Sequence, residues 1–374
     1  MAHSMDSTFY ADHECNEGRP QCSNCVRQDT ICEYANPAST PHPAVEASNI
    51  RPRDAASSNV LPALPPPRHS VFDALDLAIM HHYSTMASLR ILTLPDAQHC
   101  WQNTIPRYAQ DHVFLMHGIL ALAALDMSRT TDSEQRMRCR TRALHHQQAG
   151  LAIFQGWLTQ PEPSARIEAI FAFSCILIII TFATPGVDNE RPSINGVLDV
   201  IRLYRGPKVM ASKSWHLIST SDISPLLGEW KGPTELDFPY DLRVHFDNLN
   251  FRLEDEDDNQ AWTVLMECIA RSIRTHQETE FKAIGTWPAL MSSTFFDRLQ
   301  ALQGQALVML AQFSFVLRRF RFLWWLDGWD SILLQAVDQC LTEADKRRFH
   351  WSVSEMQRLL DFVDTPPTTG TETE

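Results

Sequence analysis

The sequence predicts an all-α protein: a multi-helix body preceded by a small, incomplete metal-cluster segment and a disordered linker. Three observations carry that reading. From about residue 71 onward, apolar residues recur at helical spacing almost without interruption. Alternation of apolar and polar residues, the mark of half-buried strands, is nearly absent. The chain has 374 residues, 44% of them hydrophobic, enough for a sizeable core in two or three domains at most.

The helical segments follow in order. "VFDALDLAIMHHYSTMASLRIL" opens the body. "HVFLMHGILALAALDMSR" comes next, with Asp111 before it as the expected cap. "RMRCRTRALHHQQAGLAIFQGWL" is a longer amphipathic stretch. "PSARIEAIFAFSCILIIITFATPG" starts with Pro and ends with Pro-Gly. Its apolar run, Ala169 to Ala183, is 15 residues long. A bilayer needs roughly 20, so a buried core helix is expected and no membrane span. "INGVLDVIRLYRGPKVM" reads as a helix broken at Gly206-Pro207. Then come "DNQAWTVLMECIARSIRTHQ", "ALMSSTFFDRLQALQ", "GQALVMLAQFSFVLRRFRFLWWL", "GWDSILLQAVDQCLTEADK" and "SVSEMQRLLDFVD". Together they predict one all-α domain over 71–366, of ten or so helices, with no repeat of fixed period. Residues 367–374 are expected as a disordered polar tail.

Residues 35–70 are rich in Pro, Ala and Ser and end in "LPPPRHS". With no hydrophobic period they predict a linker, disordered or extended, and they carry no coiled-coil heptads. Net charge is -13 and the pI about 5.6. A chain this acidic is not a bulk electrostatic binder of nucleic acid, so any DNA contact must come from a local patch. The opening "MAHSMDSTFYADHEC" has neither the basic start nor the apolar core of a secretory signal. A reducing compartment follows, in which clustered cysteines mean metal before disulfide.

Residues 1–34 hold that cluster. Cys15, Cys22, Cys25 and Cys32 are separated by six, two and six residues. Thiolates two residues apart reach one Zn²⁺ in tetrahedral geometry, because a tight turn brings them together. The bland alternative is a cysteine-rich disordered terminus. His13-Glu14 with Cys22 and Cys25 imitates fragments of a zinc deaminase signature, but the spacing is wrong and no strands follow.

"CNEGRPQCSNCVRQDTICEY" resembles the second half of the fungal six-cysteine binuclear zinc cluster, with Glu17, Pro20 and Glu33-Tyr34 also in place. The family's first Cys-x2-Cys, and the basic segment behind it, have no counterpart in "MAHSMDSTFYADHE". The resemblance implies two zinc ions in the family, with Cys22 at a bridging position. Here it leaves at most one well-ligated zinc, on Cys22, Cys25 and Cys32, with Cys15 or His13 as the fourth ligand. In that family the missing basic segment carries most DNA contacts. Arg19 and Arg27 are the basic residues left in the cluster, so poor DNA binding is expected of the chain as it stands. Either the start of the coding sequence is misassigned, or DNA binding has been lost.

The helical body also resembles a family. "IMHHYSTMASLRILTL", "WQNTIPRYAQDHVFLMHGILALAALDMSR", "FAFSCILIIITFATP" and "ALVMLAQFSFVLRRFRFLWWLDGWDSILL" are similar to the regulatory domain of fungal sterol uptake control proteins. That implies a nuclear regulator of RNA polymerase II genes, cytoplasmic when inactive, controlling sterol or secondary-metabolite genes. Its implied partners are DNA, a small hydrophobic ligand and a second copy in a homodimer. The alternative is an accessory or ligand-sensing protein of the same family that does not bind DNA.

Other residues have two readings each. Trp324, Trp325 and Trp329 form a ligand pocket or an aromatic stripe of the core. His81-His82 and His145-His146 suit a helix surface or boundary better than a metal, since neighbours on a helix point about 100° apart. "EDEDD" at 254–258 reads as a solvated loop before an activation patch. "RRFRF" at 318–322 reads as a helix edge facing water before a DNA contact. No nucleophile–base pair, phosphate loop or catalytic carboxylate pair can be assigned, so no enzyme is expected.

Overall fold

The computed structural model describes residues 73–158, 167–184, 193–227, 236–274 and 280–364, apart from the side chains at 206–213, 274, 280 and 281. Among the described residues every regular element is helical, as the apolar spacing predicts.

Helix α1 (Ala74–His82) begins with a capping box. Asp73 Oδ1 accepts the N–H of Leu75 at 2.9 Å and of Asp76 at 3.1 Å, while Asp76 Oδ2 accepts the N–H of Asp73 at 3.1 Å. The chain widens into a π turn at Tyr83–Ala87 and closes as the short α2 (Ser88–Arg90). Helix α3 (Pro95–His99) leads through a second π turn, Cys100–Thr104, into α4 (Ile105–Asp111). The fully buried Tyr83 hydroxyl donates to the Trp101 carbonyl at 2.6 Å, tying one π turn to the other.

The centre is made by α5 (Val113–Ser128), α6 (Ser133–Leu158) and α7 (Ile167–Ala183). Helix α5 packs on α1, α6 and α7. Helices α5 and α7 are apolar nearly all round and buried nearly all round, as such a pattern requires. No helix among the described residues is long and apolar enough to cross a membrane. The polar atoms inside α7 are satisfied locally: Ser174 donates to the Ile170 carbonyl and Thr181 to that of Leu177. Gly118 is required by a close approach. A Cβ there would lie 2.8 Å from the ring of Phe173, and one at Gly150 would lie 3.1 Å from the same ring.

Helix α8 (Ile194–Ser219) packs on α7. It does not break at Gly206-Pro207. Proline forfeits one backbone hydrogen bond but keeps a helical φ. The departure from helical geometry falls at Ser214 (φ -126°, ψ 25°). A 3₁₀ turn (Ser224–Leu226) and α9 (Tyr240–Asn248) precede α10 (Glu256–Arg274), α11 (Glu280–Leu290) and α12 (Ser293–Gln300). The last group is α13 (Gly304–Gln312), α14 (Ser314–Arg319), α15 (Trp329–Cys340), α16 (Glu343–Arg348) and α17 (Val353–Asp364). Helix α8 also meets α11 and α15, and α14 meets α15 and α17.

Two boundaries differ from expectation. Asp111 ends α4 instead of capping α5; the cap position of α5 is His112, in extended conformation, with no side-chain bond to the helix. The apolar segment 304–326 is not one helix. The Phe313 N–H bonds three residues back to the Leu310 carbonyl, tightening the end of α13 and redirecting the chain into α14. Both pieces are buried.

Candidate functional site

The zinc-cluster candidates Cys15, Cys22, Cys25 and Cys32, and the DNA candidates Arg19 and Arg27, lie outside the described residues. Among the described residues no group of three or more His, Cys, Asp or Glu is placed to hold a metal ion. Cys100, Cys139, Cys175 and Cys268 are buried free thiols, and Cys340 is half-buried.

The tryptophans sit where the chain turns from α14 into α15. Gly328, with φ 78°, occupies the left-handed region at the N-cap of α15, a conformation glycine adopts without strain. Trp325 and Trp329 flank that turn and are buried. Trp325 Nε1 donates to the Ile91 carbonyl at 2.9 Å, and Trp329 Nε1 to the Phe182 carbonyl at 2.7 Å. The Phe182 ring meets Trp329 edge-on at 4.8 Å and Trp325 at 5.6 Å. Trp324 differs. It is half-buried, its Nε1 is buried and has no hydrogen-bond partner among the described residues, and the Arg129 guanidinium lies over its ring at 5.1 Å. These three indoles, Phe182, Arg129 and Arg140 line a cavity of about 210 Å³. A second cavity of about 450 Å³ adjoins it, running along α6 past Arg136, Met137 and Leu144. Leu125 and Arg140 line both.

Beneath α6 runs a buried polar chain. Asp76, 2% exposed, accepts from Arg142 Nε at 2.6 Å on Oδ1 and from a second Arg142 nitrogen on Oδ2. His146 Nε2 reaches Asp76 Oδ1 at 2.8 Å, and His146 Nδ1 lies 2.8 Å from His117 Nδ1. A carboxylate only accepts, so the proton of neutral His146 sits on Nε2, and His117 Nδ1–H must then donate. Burial lowers both imidazoles, His117 to about 4, and the Asp76 bond opposes the fall at His146. Burial pushes the Asp76 carboxyl up, but the bonds from Arg142 and His146 outweigh it and hold it well below the usual range. A second buried carboxylate, Asp126, accepts from His82 Nε2 at 2.9 Å and faces Arg129 at 3.4 Å and Arg90 at 3.6 Å.

The histidine pairs therefore stand at the helix boundary, as expected. In each pair the first ring, His81 or His145, is exposed and the second turns inward. Both inward rings meet an aspartate.

Residues 78–228 match the fungal specific transcription factor domain. The chain is 25% identical over 319 residues to the Zn(2)-C6 fungal-type transcription factor afumD of Aspergillus fumigatus, covering 79% of each chain. It is 25% identical over 378 residues to a Zn(2)-C6 fungal-type transcription factor of Gibberella zeae, across 84% of this chain and 76% of that one. Sterol uptake control protein 2 of Saccharomyces cerevisiae is 25% identical over 312 residues, 76% of this chain and 32% of the yeast protein. The domain and its relatives support a regulator of transcription over an enzyme, and zinc as a family cofactor.

In the matched segment and the helices after it, several charged stretches are part of the framework. Arg318 of "RRFRF" is 9% exposed and pairs with Asp330 at 2.8 Å and Asp361 at 2.5 Å, and Arg319 donates to the Ser272 carbonyl. Arg318 is buried and Arg319 half-buried, against expectation, while Arg321 and Phe322 of the same run face water as expected. Asp255 of "EDEDD" caps α10 through the N–H groups of Asp257 and Asp258. Arg298 pairs with Asp255 at 2.8 Å and also with Asp258, and its bond to Asp255 lowers that carboxyl to about 2. Sequence reasoning did not find the Asp76 and Asp126 clusters. The available signal for the second was a lone Asp inside the apolar run of α5.

Proposed function

We propose that the protein is a fungal regulator of RNA polymerase II genes whose helical body, 71–366, senses a small hydrophobic ligand. The match of residues 78–228 to the fungal specific transcription factor domain carries the reading. Residues 1–34 form a partial zinc cluster in which Cys22, Cys25 and Cys32 hold one zinc, with Cys15 or His13 as fourth ligand. Arg19 and Arg27 supply its DNA contacts. Residues 35–70 link cluster and body, 367–374 trail behind, and the protein acts in the nucleus as a homodimer. Sterol or secondary-metabolite genes are its targets; one relative is named a sterol uptake control protein. The Trp324, Trp325 and Trp329 cavity is the candidate ligand site.

A second reading is an accessory sensor that does not bind DNA. It is favoured by the two arginines that are the cluster's only basic residues in a chain of net charge -13. Two measurements test the proposal. The full chain, tethered to a reporter through a bacterial repressor's DNA-binding domain, should change transcription in yeast; an unresponsive reporter rejects the regulator. Purified full chain should hold about one zinc, lost in Cys22→Ser with helix content kept; a zinc-free chain rejects the partial cluster. A gel shift on fungal promoter DNA separates the two readings.

A further inference from the structure

We infer that the cavity pair between α5, α6 and the Trp324–Trp329 turn binds an amphipathic anion, a long-chain monocarboxylate, with its head at Trp324 and Arg129 and its tail along α6. The inference rests on the ligand-sensing reading of the helical body and adds the chemistry of the ligand.

The head end holds one buried donor without an acceptor, beside an arginine. Trp324 lines the smaller cavity; its Nε1–H is buried and has no partner among the described residues. A buried donor left unpaired costs about 1–3 kcal/mol, so an occupant bearing an acceptor is favoured there. Arg129 lies over the same indole. Its carboxylate neighbour, Asp126, is shared with Arg90 and His82 and does not cancel the local charge. Trp325 and Trp329 have their N–H groups bonded to carbonyls, so they offer the cavity apolar ring faces.

The tail end is the larger cavity. Met137 and Leu144, 70% and 53% exposed, stand two turns apart on one face of α6. Leu125 joins the two cavities. Arg136, on the same wall, bonds the carbonyls of Ser128 and Thr131. Those partners are neutral, so its charge stands. Among the described lining residues, Arg129 and Arg136 stand against Asp327. A locally cationic site on a chain of net charge -13 selects for an anion. The larger cavity falls in the range of about 300–1,000 Å³ typical of small-molecule pockets.

The test titrates the purified full chain with dodecanoate, 1-dodecanol and ergosterol, followed by tryptophan fluorescence and calorimetry. Dodecanoate should bind one to one, and 1-dodecanol, the same chain without the charge, about tenfold or more weakly. Trp324→Phe keeps the ring and removes the donor, and should weaken dodecanoate about tenfold. Met137→Glu, at an exposed position that does not hold the fold, should abolish dodecanoate binding by charge repulsion. Dodecanol binding as tightly as dodecanoate, or dodecanoate indifferent to both substitutions, would overturn the inference. Ergosterol binding without dodecanoate would overturn it while leaving the ligand-sensing reading intact. Failure of all three probes would remove both.

Discussion

Asp76→Asn tests the buried polar chain most directly. Asp76 has two oxygens and each serves two donors: Oδ1 takes Arg142 Nε and His146 Nε2, Oδ2 takes the Asp73 N–H and the other Arg142 nitrogen. An asparagine keeps one oxygen. Whichever way its amide is turned, an NH₂ group faces two donors, one of them the guanidinium. A bond to a charged group contributes about 1.5–3 kcal/mol and a neutral one about 1 kcal/mol. Arg142 and His146 are also left beside a neutral group, and breaking a buried pair typically costs about 3–5 kcal/mol. A loss of about 3–5 kcal/mol is therefore expected, out of the roughly 5–15 kcal/mol that holds a domain together. Urea unfolding of the purified chain, read by far-UV circular dichroism, should show a lower midpoint with an unchanged slope. Arg142→Met should be partly non-additive with it, because the two residues share one interaction. A loss below about 1 kcal/mol, or strict additivity, would refute the view that this carboxylate anchors α1 to α6.

Acid should weaken the fold before carboxylates protonate. His117 stays neutral in the folded chain down to about pH 4, whereas unfolded it takes a proton near 6.5. Between those values the unfolded state binds more protons, so stability is full above about 6.5 and falls toward pH 4, by up to about 3 kcal/mol. Lowered His146 acts with the same sign. Urea midpoints from pH 7 to 4.5 should decline and His117→Gln should flatten the decline; a midpoint that rises with acid would contradict this. Gly118→Ala sets a clash against a propensity gain. Alanine favours a helix by about 1 kcal/mol over glycine, but its Cβ would sit 2.8 Å from the Phe173 ring. That ring is pinned by Phe114 at 5.4 Å and Phe154 at 4.8 Å. Overpacking costs about 1–3 kcal/mol, so a net loss is expected in thermal melts, with partial recovery on adding Phe173→Leu. A more stable alanine variant would mean the three helices can spread.

What was legible in the chain follows the range of the interactions. Helices α5 and α7 announce themselves because an all-round apolar segment has no other way to avoid water. The break at Phe313 does not, since local spacing continues straight through it. The histidine pairs show the boundary most clearly. Adjacent positions about 100° apart establish that both rings of a pair cannot share one environment. Which ring turns inward depends on carboxylates far along the sequence: Asp76 lies 70 residues from His146, and Asp126 lies 44 from His82. Arg318 was unreadable for the same reason. A run such as "RRFRF" looks solvated until Asp330 and Asp361 are brought beside it.

The two indole bonds at Trp325 and Trp329 have a consequence for how the chain is divided. Their acceptors, Ile91 and Phe182, lie within the matched segment 78–228, while the donors lie about a hundred residues beyond it. Each bond closes a circuit of 234 or 147 residues, from the ends of early helices to a turn near the other end of the body. Residues 78–228 are therefore a matched segment and not a unit of folding. A chain cut after them would expose the Phe182 ring and leave two backbone acceptors looking for donors that no longer exist.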